Sequence, residues 1–195
     1  MPNVEEINKI ICEFYEVAKD EPLFCCKFRS PIVERGYLLK PELHEIVCWK
    51  AERVKSIADR NSDSEVKSAS RAAFAAPTPE EAVAILDSLK GVGVRMASAI
   101  MTVYDPSRFT VMDIRAMESL RAQNVEDLGL GEKVNLDSPK TYASYLTACK
   151  RLADMWGIDL RTLDRYLWSM DRKQSAGKGR KPPQPRCRRV PRADK

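Results

Sequence analysis

The sequence predicts an all-α fold. Three observations carry that expectation. Apolar residues recur at helical spacing through most of the chain, several segments open on recognisable helix caps, and only Arg108 to Met112 alternates like a short strand. With 195 residues, 44% of them hydrophobic, the chain is long enough to bury a sizeable core. No apolar run approaches the roughly 18 residues of a membrane span. A monomer without a membrane partner is expected.

The elements follow in order. Val4 to Ala18 sets Ile7, Ile10, Ile11, Phe14 and Val17 on or near one stripe. Residues 20–40 read as irregular, punctuated by Pro22, Pro31 and Gly36. Pro41 to Arg60 reads as one helix with Leu43, Ile46, Val47, Val54 and Ile57 inward, and Pro41 suits its first turn. Asn61-Ser62-Asp63 breaks it, and Ser62 or Asp63 caps a helix to about Ala76. Thr78-Pro79-Glu80-Glu81 then supplies an N-cap, a first-turn proline and a Glu placed to close a capping box. That helix ends at Leu89-Lys90-Gly91-Val92-Gly93, and another runs from Val94 to Tyr104. Asp105-Pro106 stops it, a loop reaches Val111, and Asp113 opens a helix to about Arg121. Residues 122–138 read as loop, and 139–156 and 159–170 as two closing helices. No internal repeat is found.

Charge divides the chain. Residues 172–195 hold ten Lys or Arg against Asp194 alone, a net +9. The remaining 23 bases and 27 acids leave residues 1–171 at −4. The expected organisation is therefore a helical body, 1–171, and a disordered basic tail, 172–195. The tail can bind phosphates electrostatically, or serve only as a solubilising or cloning remnant. Any anion-binding surface on the body has to be a local patch.

The six cysteines, Cys12, Cys25, Cys26, Cys48, Cys149 and Cys187, form no CxxC or zinc spacing, and a single histidine rules out a multi-histidine metal site. Glu5, Glu6 and Glu13 interrupt the first twenty residues, which read as neither signal nor transit peptide. A reducing, cytoplasmic setting is expected.

The segment from Leu86 to Ala97 is the most informative. Gly91 and Gly93 permit positive φ and close backbone approach, Val92 points between the two helices, and Ala97 allows them to pack tightly. The free amides that open the second helix form a phosphate-binding terminus. The same glycines also suit a plain helix C-cap in a tight αα-hairpin.

Residues 86–121, with Leu86, Leu89, Gly91, Val92, Gly93 and Ala97 in the hairpin and Asp113 22 residues after Gly91, resemble the helix-hairpin-helix DNA glycosylase superfamily, the endonuclease III-like group. Trp49-Lys50 to Arg53, Asn61 and Phe74-Ala75 are similar to uncharacterised bacterial relatives in that superfamily. The resemblance implies two helical lobes around a central hairpin (79–104) and an Asp-bearing loop (105–113), with residues 1–40 and 139–171 completing the second lobe. It implies double-stranded, damaged DNA as partner, gripped by Leu89, Gly91, Val92, Gly93 and Arg95, sometimes with a monovalent cation on hairpin carbonyls. It implies a nucleotide flipped from the duplex. Asp113 then stabilises the positive charge that develops on the sugar. An N-cap is the alternative role for Asp113, and the two are compatible.

Departures from the family pattern sharpen the expectation. The bifunctional lysine two residues after the second hairpin glycine is Arg95 here, and a guanidinium cannot act as the amine of a Schiff base. Lys50 and Lys90 are the substitutes to consider. Arg95 either holds phosphate or base, or lies on a solvated face. Arg115 stands where many members carry His, and the cysteines for an iron–sulfur cluster are missing. The expected activity is thus a monofunctional glycosylase without lyase chemistry. The alternative is a non-catalytic DNA-binding protein, and a helical protein whose hairpin binds nothing comes third.

Trp49 and Tyr104 are either core or base-stacking aromatics. Lys50 and Arg115 join them as candidates for the base pocket or its surroundings. His44 reads as a helix-surface residue without a dyad partner, and Asp164 as a local partner of Arg161 or Arg165.

Overall fold

The computed structural model describes residues 2–17, 21–123 and 135–177. Among them every regular element is helical. The short β-like run at 108–112 forms no strand and stays in the expected loop. Arg108 and Phe109 close a turn on the Asp105 carbonyl, and side chains take up polar groups of Thr110 to Met112 in place of a second strand.

Helix α1 (Val4–Phe14) starts from a reciprocal cap. Asn3 Oδ1 accepts from the Glu6 amide, and Glu6 accepts from the Asn3 amide. Ile7 and Ile11 form its buried stripe. The irregular stretch expected over 20–40 instead contains α2 (Glu21–Phe24) and α3 (Cys26–Arg35). Pro22 falls in the first turn of α2, where a proline removes no helical hydrogen bond. Pro31 is tolerated inside α3 on its exposed side, while Gly36, at φ 68°, ends the helix as its punctuation suggests.

The single helix expected over 41–60 is broken. Helix α4 (Lys40–Ala51) leaves helical geometry at Ala51, whose φ is −158°, passes a 3₁₀ turn (Glu52–Val54) and resumes as α5 (Lys55–Ala58). Helix α6 (Asp63–Phe74) is capped by Ser62 and Glu65. The Ser62 amide holds the exposed Glu65 carboxyl down at about 2. Helix α7 (Pro79–Asp87) starts at Thr78, whose Oγ1 accepts from the Glu81 amide. Helices α8 (Val94–Tyr104), α9 (Ile114–Arg121), α10 (Pro139–Trp156) and α11 (Leu160–Gly177) complete the described chain.

Helix α8 is the centre of the core. Nine of its residues, Val94 and Met96 to Val103, are buried, so it is apolar almost all round. Helices α3, α4, α7 and α10 pack on it, and α6 backs α7. Helix α11 packs against α1, α9 and α10. Thus α10, expected beside the terminal segments, packs on the hairpin helices as well. Residues 172–177, expected as tail, continue α11. Asp171 ties α11 to Arg115 of α9 at 2.6 Å, and the Arg172 guanidinium lies 4.8 Å from the Trp168 ring one turn back. The tail beyond Gly177, including Cys187, and Gly129 and Gly131 in the expected 122–138 loop lie outside the described residues. No described helix is long and apolar enough to cross a membrane.

Candidate functional site

The hairpin is the turn between α7 and α8. Leu89 N–H donates to Leu86, and Val92 N–H to the Leu89 carbonyl. Leu89, Val92 and Val94 are buried, so the turn is anchored by its own apolar residues. Asn61 locks it from outside. Its Oδ1 accepts from Lys90 N–H and its Nδ2 donates to Lys90 O, both at 2.9 Å, and it also reaches the Ala58 carbonyl at 2.7 Å. Asn61 marks a break in the sequence, yet its partner lies 29 residues on and local spacing cannot reveal it.

The two hairpin glycines differ. Gly91 has φ 75°, and a Cβ there would stand 2.9 Å from the Ala58 nitrogen. Gly93 has φ −83°, and its Cβ would meet nothing closer than an Asp87 oxygen at 3.9 Å. Gly93 is the N-cap of α8 and offers no side-chain cap, so the Val94 and Arg95 amides that open the helix have none, while the Met96 and Ala97 amides donate to the Gly93 carbonyl. Arg95, 43% exposed, stands in that first turn and, among the described residues, makes a 3.5 Å ion pair with Asp137. The Leu89 and Lys90 carbonyls already accept hydrogen bonds, so a cation held at this turn has to share them.

A short strap without regular structure, residues 109–112, then delivers Asp113. Met112 N–H donates to Ser98 Oγ of α8 at 2.9 Å. Tyr142 and Tyr145 of α10 donate their hydroxyls to the Thr110 and Val111 carbonyls at 3.2 and 3.1 Å. Asp113 is the N-cap of α9, its Oδ1 accepting from Ala116 N–H at 2.9 Å. Its Oδ2 lies 3.2 Å from Lys50 Nζ, which arrives from the last turn of α4. Both side chains are largely shielded, 24% and 15% exposed. Lys90, the other lysine considered, turns away to Glu65.

Beside this pair lies a buried group on α11. Asp164 bonds Arg161, and Arg161 also donates to the Tyr15 hydroxyl at 3.0 Å. The Arg161 guanidinium lies 4.3 Å from the Phe24 ring and 5.7 Å from that of Trp49. Burial pushes the Asp164 carboxyl up to about 6; Arg161 and Lys50 oppose the shift and Asp113 adds to it. Burial likewise raises the Tyr15 hydroxyl to about 12. Phe24 also lines an open cavity of about 490 Å³ with Glu21, Pro22, Cys25 and Arg165.

The structure therefore brings Trp49, Lys50 and Asp113 to one neighbourhood, with Arg161 and Asp164 as members that sequence reasoning had treated as structural. Tyr104 and Arg115 have other engagements. Tyr104 stacks on Phe74 at 3.8 Å, and Arg115 bonds Asp171. The Asp164–Arg161 pairing agrees with the local spacing in the sequence. Compared with known protein families, curated proteins and solved structures, the chain matches none.

Proposed function

We propose that this chain binds damaged double-stranded DNA and hydrolyses the N-glycosidic bond of a base turned out of the duplex, as a monofunctional repair glycosylase. The observation that carries this reading is a shielded carboxylate, Asp113, fixed from two directions at the end of a strap that runs directly from the hairpin helix. In this reading the hairpin grips backbone phosphate through the uncapped amides of α8, with Arg95 beside them. The two lobes implied by the family resemblance then flank the flipped nucleotide.

Asp113 supplies negative charge where the sugar becomes cationic and orients the attacking water. Fixation by Lys50 and by the Ala116 amide removes the cost of reorienting the carboxylate during reaction. The cavity beside Phe24 is of a size that accepts small organic ligands. Phe24, which lines that cavity, lies against the Arg161 guanidinium, so the cavity and the buried Arg161 group share a side chain.

A second reading has its own observation. Both Asp113 oxygens are already engaged, by Ala116 N–H and Lys50, which accounts for the residue without chemistry. The chain is then a non-catalytic DNA-binding protein. The test compares wild type with Asp113→Asn, which retains a good N-cap residue. Binding is measured on duplexes with and without a stable abasic analogue, at several salt concentrations. Base release is measured on duplexes bearing deaminated, oxidised or alkylated bases. A glycosylase prefers the abasic duplex and loses base release, but not binding, in Asp113→Asn. Abasic preference with no base release from any duplex supports the binder. No binding to any duplex, together with no base release, overturns both.

A further inference from the structure

Helix α4 carries a second constellation. His44 and Cys48 stand one turn apart and share a face. The break after Ala51 turns the chain back, so that Asp59, at the end of α5, meets them. His44 Nδ1 lies 2.8 Å from Asp59 Oδ1, and Cys48 Sγ lies 3.3 Å from His44 Nε2. A carboxylate only accepts, so Nδ1 carries the imidazole proton and Nε2 turns its lone pair to the thiol. Thiol, imidazole and carboxylate stand in one hydrogen-bonded line. The histidine that reads as partnerless in the sequence has a partner on each nitrogen.

Burial does not force this arrangement. The His44 and Asp59 side chains are 38% and 40% exposed and Cys48 is half-buried, so water can satisfy each group separately. Two residues around a helix is a rotation of about 200°, which sets Cys48 on the other side of α4 from Lys50. The constellation is therefore separate from the Asp113 site.

We propose that Cys48, His44 and Asp59 form a reactive-thiol site that exchanges with low-molecular-weight disulfides and so accepts a reversible mixed disulfide. His44 Nε2 takes the Cys48 proton as the sulfur attacks one sulfur of the disulfide RS–SR. The new Cys48–SR bond forms as the old S–S bond breaks, and the departing RS⁻ takes the proton back from His44. Cys48 is oxidised, one half of the disulfide is reduced, and nothing else is consumed. Asp59 holds the ring in the required tautomer and faces the imidazolium formed on the way.

Two other chemistries fit less well. Acyl transfer needs free N–H donors for an oxyanion, and Cys48 lies inside α4, where the amides are spent on the helix. Metal binding needs ligands that converge, whereas these three lie in line, and no metal-binding group of three is found among the described residues.

The test uses the full reduced chain with oxidised glutathione at neutral pH. After acid quenching, each cysteine peptide is scored for mixed disulfide by mass spectrometry. Exposed Cys12 is the internal reference for an ordinary thiol, and buried Cys149 reports that the fold is intact. Cys48 is expected to react at least about tenfold faster than Cys12, because an ordinary thiol is only a few per cent thiolate at neutral pH and a positioned base removes that limit. His44→Gln brings Cys48 down to the Cys12 rate while Cys12 is unchanged and Cys149 stays unmodified. Dithiothreitol restores the free thiol. A Cys48 rate no greater than that of Cys12, or one indifferent to His44→Gln in a chain that still protects Cys149, overturns the proposal.

Discussion

Gly91 and Gly93 sit two residues apart in one turn and answer to different constraints. Gly91 must be glycine for the fold, because its positive φ and the backbone of Ala58 leave no room for a Cβ. Gly91→Ala is expected to cost about 2 kcal/mol or more, read as a lower urea midpoint at unchanged slope. Gly93 carries neither constraint, so Gly93→Ala changes stability by less than about 1 kcal/mol. If phosphate approaches the start of α8, that silent substitution still weakens DNA binding. Unaltered binding by Gly93→Ala excludes close contact at that residue. Asp164 makes a prediction in pH. Its folded carboxyl stands near 6, above the ordinary value, so its contribution is complete below about pH 4 and is lost as pH rises through 6. The stability of wild type relative to Asp164→Asn should fall between pH 4 and 7, by at most about 3 kcal/mol. Thermal or urea unfolding of both proteins across that range measures it.

Among the elements, the strap from Phe109 to Met112 is held by side chains from two helices, Ser98 of α8 accepting from it and Tyr142 and Tyr145 of α10 donating to it, and its order depends on them. Tyr145→Phe keeps the buried ring and removes only the bond to the Val111 carbonyl. A loss of about 1 kcal/mol is expected, with a larger effect on any activity of Asp113 than on DNA binding. Denaturation and base-release measurements on the same variant read the two effects. The sequence makes plain those features that are local: the Thr78-Pro79 start of α7, the Ser62 and Asp113 caps, and the Gly36 stop. It hides those that depend on distant partners. Lys50 meets Asp113 across 63 residues, and Tyr145 meets Val111 across 34. The prolines at 22 and 31 look like breakers because composition does not reveal that one opens a helix and the other lies on an exposed side. The kink after Ala51 interrupts no apolar pattern, which is why Asp59 could not be placed beside His44.

At the scale of the whole molecule, the acidic balance of the body confines anion binding to patches. The Tyr37 ring carries Lys67 and Arg71 at 4.8 and 4.7 Å, a basic cluster on the face of α6. If this cluster lies in the DNA footprint, Lys67→Ala reduces the slope of log affinity against log salt by about 1. Removing residues 178–195, which carry eight bases and one acid, lowers affinity for every duplex alike and flattens the slope further, while preference for an abasic duplex persists. Loss of that preference on truncation would move recognition from the helical body to the tail.

The packing of α1 against α11 has a consequence for biosynthesis. Among the described elements the main packing partner of α1 is α11, so Ile7 and Ile11 lack it while the intervening residues emerge from the ribosome. At roughly 5–20 residues per second, α1 waits on the order of ten to thirty seconds as a sticky amphipathic segment. The hairpin core around α8 can consolidate in that interval, before α11 is available to pack on α1. A nascent-chain binder is therefore expected to hold residues 4–14 longest, and pulse proteolysis of stalled chains should find that segment cleavable until α11 has been released.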